Sequence, residues 1–290
     1  MKKNKLVAVL VVLLGMVVVA SPAMAAGSAL RETPLGQGTV RIYDFGSSRL
    51  HAFQTGDPLG DTCFLLEGPK QIVAIESPAF KQDIANWKGY VGSLGKPLTD
   101  ILLAAHPAGG RWYGNATSHA TAGAKQAITE GATKKLAESL GETFSPAFDT
   151  DIPGIDAVLT PGPNTVGSME FVITEAGDGY EIAIPAINAI YTHMLGADSH
   201  SILAGQDHIT AVLASLESIK AKGYQLILSG HHAPETQTDV AAKIAYVKAV
   251  RTMAAQSADR ADFIARVKRA FPDYVGLNYL EMTAGFLFTE

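Results

Sequence analysis

The chain has 290 residues, 47% of them hydrophobic and 18% charged, with a formal net charge of −5. That length suits one large domain, or two close halves sharing a continuous core. Beyond its first five residues the acidic chain contains no basic run, which argues against nucleic acid as a partner. The single cysteine, Cys63, excludes an intrachain disulfide. Lying in Thr62-Cys-Phe-Leu-Leu66, it reads as a small buried hydrophobe.

The chain opens with a basic stretch, Met1-Lys-Lys-Asn-Lys5, and an apolar run of 15 residues from Leu6 to Ala20. Ala23-Met-Ala25 then gives the small-x-small pattern of a cleavage site. Together these predict a secretory signal peptide over residues 1–25. The run falls short of the about 20 apolar residues that a membrane span requires. The expected mature protein is residues 26–290, a single domain with a C-terminal helical extension, periplasmic or secreted and without a membrane anchor. Losing three lysines and no acid makes it more acidic still.

Strands come first in the mature chain, at 39–45, 62–67 and 71–76, with Gly68-Pro69-Lys70 as a tight turn between the last two. Phe80, Ile84, Trp87 and Val91 recur at helical spacing, predicting a helix over 78–94 that Gly95 stops. A buried strand follows in Ile101-Leu-Leu-Ala-Ala-His106. Residues 115–145 read as Ala-rich helix and 146–167 as a crossing loop. Strands resume at 169–174, 180–184 and 188–192. An amphipathic helix spans 207–222, with Ile209, Leu213, Leu216 and Ile219 on one face. Gln225-Leu-Ile-Leu-Ser-Gly230-His231-His232 is a second buried strand handing histidines to a loop. Thr236-Gln-Thr-Asp239 starts another helix in the manner of a capping box, and helical signals at 261–270 and 280–288 complete the chain. Strands then helices, twice over, predict two sheets packed together with helices outside.

Cys63-Phe-Leu-Leu-Glu-Gly68 with Ile72-Val-Ala-Ile-Glu76-Ser77, Thr99-Asp-Ile-Leu-Leu-Ala-Ala-His106 with Gly109-Gly110, and Ile227-Leu-Ser-Gly-His231 stand in an order that resembles the metallo-β-lactamase-fold superfamily. The resemblance spans roughly residues 38 to 250. It implies a four-layer αββα sandwich of two mixed β-sheets flanked by helices. Glu76 stands where the family's second strand usually ends in aspartate. The family's main motif, His-x-His-x-Asp-His, is broken here. Read from His106, its later positions are Ala108, Gly110 and Arg111. Anchored on Gly109-Gly110, it falls on Leu102, Ala104, His106 and Pro107, so His106 replaces the aspartate. Asn164 stands where a mid-chain histidine ligand is expected, and either His193 or Asp198 falls at the family's acidic ligand. His231 matches its final ligand. The ordinary two-zinc cage is therefore not expected.

A hydrolytic zinc needs about three protein ligands and an open position for water. The candidates are His106, His193, Asp198, His200 and His231, each just past a predicted strand, whereas His232 is expected to turn outward or pack. At most one zinc ion is anticipated, with His106, Asp198 and His231 as catalytic candidates and Asp198 or a histidine handling protons. The implied activity is metal-assisted hydrolysis of a small-molecule ester, amide, lactone or sulfate. The alternative is a noncatalytic periplasmic binding or interaction module on the same fold. Arg111, Trp112 and Tyr113 suggest either an anion-binding group or packing onto the core. Tyr191 reads as core, and His51, His119 and His208 read as surface or local structure.

Overall fold

The computed structural model describes residues 31–106, 108–176 and 179–288; the expected signal peptide lies outside them. Two mixed sheets form the centre of the molecule. The first runs in sequence order through β1 (Arg31–Leu35), β2 (Gly38–Asp44), β3 (Arg49–Gln54), β4 (Thr62–Glu67), β5 (Ile72–Ile75), β6 (Leu98–Leu102), β7 (Thr117–Thr121) and β8 (Ala157–Leu159). Its first five strands are antiparallel and its last four pair in parallel. The second sheet holds β9 (Gly162–Val166), β10 (Met169–Ala176), β11 (Gly179–Ile184), β12 (Ala189–Thr192), β13 (Leu226–Ser229) and β14 (His232–Glu235). Only its β12–β13 pair is parallel.

Each parallel pair nearest the centre is joined by a helix, which a parallel connection needs in order to cross back. α1 (Lys81–Ser93) links β5 to β6, and α4 (Gln206–Lys222) links β12 to β13. These strands are covered on both faces, which explains their continuous apolar runs. On β13, Leu226 and Leu228 join the core between the sheets, while Ile227 faces the helices. α1 packs its buried Trp87 on Phe53, with ring centroids 5.0 Å apart. α4, α5 (Gln237–Gln256), α6 (Arg260–Ala270) and α7 (Leu277–Leu287) share a second apolar cluster with Ile190 and Ile227. This is the four-layer sandwich.

Several elements differ from expectation. The 115–145 region holds β7 before α2 (Ala122–Thr129) and α3 (Ala132–Thr143), and β8 and β9 occupy the supposed crossing loop. β7 reads Thr-Ser-His-Ala-Thr, which carries little apolar alternation; its place is set by parallel pairing to β6 and β8. α1 starts at Lys81 rather than 78, because Phe80 keeps an extended backbone as its N-cap. The box at the start of α5 forms as expected, with Thr236 and Asp239 bonding reciprocally.

Candidate metal centre

Three histidines meet at one end of the sandwich. His106 follows β6, His193 follows β12 and His231 follows β13. The parallel register pairs Thr192 with Ser229, so the next residues on each strand emerge side by side. Gly230 N–H then donates to the His193 carbonyl (3.0 Å). Gly230 has no room for a side chain, since a Cβ there would stand 2.8 Å from His193 and 3.1 Å from His106.

His106 Nε2 lies 3.2 Å from His193 Nε2 and 3.3 Å from His231 Nε2, and the last two are 3.1 Å apart. Tetrahedral zinc with Zn–N bonds of about 2.0–2.1 Å places its nitrogen ligands about 3.3–3.4 Å apart. The donor type and the spacing both fit such an ion. Among the described residues these three form the single group with metal-ligand spacing.

Glu76 holds the His106 loop from within. Its fully buried carboxylate accepts the backbone N–H groups of Ala104 (3.1 Å), Ala105 (2.8 Å) and His106 (2.9 Å). The Tyr191 hydroxyl on β12 donates to the same group (2.7 Å), two residues before His193. One carboxylate thus ties the loop of one ligand to the strand of another. On the opposite side, Leu59 O and Asp61 Oδ1 each stand 3.2 Å from His231 Nδ1.

Burial, reinforced by His106 and His231, pushes His193 well below the ordinary histidine range, so its imidazole is neutral at pH 7. Burial also pulls His231 down, but the Asp61 contact and charge outweigh that and leave it raised. Burial and the Glu76 charge push the Tyr191 hydroxyl far up, which keeps it a donor.

Asp198 and His200 do not join the three histidines at metal-ligand spacing, which corrects the expectation that either completes the shell. The chain turns away after Leu195: Ser199 N–H closes a turn on Gly196 O (3.1 Å), and residues 198–200 pair with Val275. Asp198 O accepts from Val275 N–H (3.1 Å). His200 is buried, with Nδ1 against the Tyr246 hydroxyl (3.0 Å) and its ring beside Tyr274. His232 packs near Ser199 (3.4 Å). Arg111 is exposed and paired with Asp156 (2.9 Å), whereas Trp112 is buried and its Nε1 donates to Ser77 (2.9 Å). Asn164 caps its own turn through Thr160 O (2.7 Å).

Sequence reasoning overlooked Asp61, Leu59 and the polar role of Tyr191. The turn chemistry of Gly56-Asp-Pro-Leu-Gly-Asp61 is visible in the sequence; its closure on a histidine 170 residues later is not.

No protein-family model matches the sequence, and no curated protein matches it significantly. Solved structures do match. A metallo-β-lactamase family protein of Thermus thermophilus aligns with TM-score 0.58 and 13% identity, over 83% of this chain and 91% of its own. A stereoselective inverting sec-alkylsulfatase from a Pseudomonas species aligns at 0.59 and 15%, over 82% of this chain and 48% of its own. A Pseudomonas aeruginosa metallo-β-lactamase in a mono-zinc form aligns at 0.50 and 14%, over 72% and 95%. With two mixed sheets flanked by helices and a histidine cluster at the sheet ends, the molecule is an α/β sandwich. Its fold is that of the metallo-β-lactamase superfamily.

Proposed function

We propose that this chain is an exported metal-dependent hydrolase that acts through one zinc ion held by His106, His193 and His231. The observation that carries the reading is the mutual approach of the three Nε2 atoms to 3.1–3.3 Å. Zinc in a three-histidine setting supplies Lewis acidity and an activated water near neutral pH. The chain's own part is preparation: Glu76 fixes the His106 backbone, Gly230 fixes His193, and the 55–61 turn orients His231. Among the described residues no carboxylate joins the three histidines at ligand spacing, so the donor set adds no negative charge and leaves the ion strongly electrophilic. The substrate is a small molecule carrying an ester, amide, lactone or sulfate bond.

Zinc titration and elemental analysis of the purified protein test this together with turnover of an ester, lactone and alkyl-sulfate panel. One bound ion is expected, with binding and turnover both lost in His193→Ala. Two tightly bound ions would overturn the single-ion reading. No binding at neutral pH would leave the noncatalytic module as the better account. Export is tested by the intact mass of protein from a secreting host, where a product retaining Met1 to Ala20 would refute it. Among the described residues no helix is long and apolar enough to cross a membrane.

A further inference from the structure

The turn from Thr55 to Asp61, between β3 and β4, is tied to itself at nearly every residue. Thr55 N–H donates to Asp61 O (2.9 Å). The Asp57 carboxylate accepts the N–H groups of Leu59 and Gly60 (both 2.8 Å) and lies 2.6 Å from the Thr55 hydroxyl. Next to the turn, Thr62 N–H donates to Gly230 O (2.7 Å), which fastens this segment to the loop that carries His231. These bonds leave two acceptors, the Leu59 carbonyl and the Asp61 carboxylate, facing His231 Nδ1 at 3.2 Å each.

A carbonyl oxygen can only accept, so Nδ1 carries the hydrogen. A neutral imidazole then has its lone pair on Nε2, and that atom faces His106 and His193. His106 differs: among the described residues its Nδ1 is buried with no hydrogen-bond partner.

We infer that Asp61 is a positioning residue of the metal centre, sharing with the Leu59 carbonyl the task of holding His231 as the Nδ1–H tautomer and supplying a negative charge that three neutral imidazoles lack. The inference rests on the metal reading for its effect on affinity, but its tautomer half stands without any ion. Outer partners of this kind raise ligand basicity, and their loss costs about 10–100-fold in metal affinity.

Long-range ¹⁵N–¹H spectra of the metal-free protein at pH 8 read the His231 tautomer directly, and competition titration reads zinc affinity. Cobalt substitution adds a spectral signature of ligand geometry. The wild type should show Nδ1–H at His231. Asp61→Asn should keep that tautomer through Leu59, yet bind zinc about 10–100-fold more weakly with an altered cobalt spectrum. Thr55→Val, which loosens the turn but keeps the carboxylate, should weaken binding less, and it serves as the test should Asp61→Asn fail to fold. Nε2–H at His231 in the wild type would overturn the inference, as would zinc affinity in folded Asp61→Asn within twofold of wild type. A wild type that shows Nδ1–H but binds no zinc would sink the metal reading and the affinity half, leaving the tautomer assignment standing.

Discussion

At the scale of single residues, Glu76 shows how a strained position is kept. It is a non-glycine residue with φ of 64°, a left-handed conformation that costs of order 1 kcal/mol or more unless its surroundings over-determine it. Four donors converging on one buried carboxylate do so, and bonds to a charged acceptor are worth more than neutral ones. Glu76→Gln keeps the shape but turns an amide NH₂ toward groups that are themselves donors. Urea unfolding should register a loss of about 2–4 kcal/mol, accompanied by weaker zinc binding as the His106 loop slackens. A loss under about 1 kcal/mol would mean that these donors find other partners. The sequence marked position 76 only as the place of a family aspartate. The Tyr191 partner, 115 residues away, could be learned only from how the two sheets face each other.

At the scale of elements, legibility followed apolar content. β4, β5, β6, β12 and β13 are buried on both faces, and their runs marked both the strands and the ends where His106, His193 and His231 emerge. β1 reads Arg-Glu-Thr-Pro-Leu and is largely exposed; β14 is a four-residue edge containing a proline. Neither carries a periodic signal, because backbone pairing rather than side-chain burial makes them strands. The choice between His193 and Asp198 turned on the β12–β13 register and on the turn that follows. Glu235 of β14 accepts the N–H groups of Gly196 (3.2 Å) and Ala197 (2.7 Å), while Lys243 of α5 donates to Gly196 O (2.8 Å) and Ser199 O (2.7 Å). Gly196 must be glycine, since a Cβ there would run into His232 and Ser199; Gly196→Ala should cost about 2 kcal/mol or more in urea unfolding. Burial, aided by Asp239, pushes Glu235 up to about 7, and burial pulls Lys243 down to about 8. A carboxyl raised in the folded state contributes stability that is full below its unfolded value and fades as pH rises through the folded one. Relative to Glu235→Gln, the wild type should therefore lose on the order of 1–2 kcal/mol between pH 5 and pH 8. Urea midpoints for the two proteins that run parallel across that range would refute this.

At the scale of the whole molecule, the three histidines straddle the sandwich. His106 leaves the first sheet, and His193 and His231 leave the second. The two helix-linked crossovers place residues in corresponding positions: Glu76 and His193 follow β5 and β12, and His106 and His231 follow β6 and β13. Direct ties between the sheet ends already exist in Tyr191–Glu76 and Thr62–Gly230. An ion at the three Nε2 atoms would add a further link, one that forms only when both sheets are docked. Because the unfolded chain cannot present the three donors together, binding should appear as folding stability. Free zinc at 100 times its Kd should add about 2.7 kcal/mol. For a chain of this size that corresponds to a rise in Tm of about 5–10 °C, reversed by a chelator and absent in His193→Ala. Hydrogen exchange should slow at both the His106 loop and the His231 loop when zinc is added. Slowing confined to the second sheet would show that His106 is not a ligand, and a Tm indifferent to zinc would show that the sheets are held by their apolar core and these ties alone.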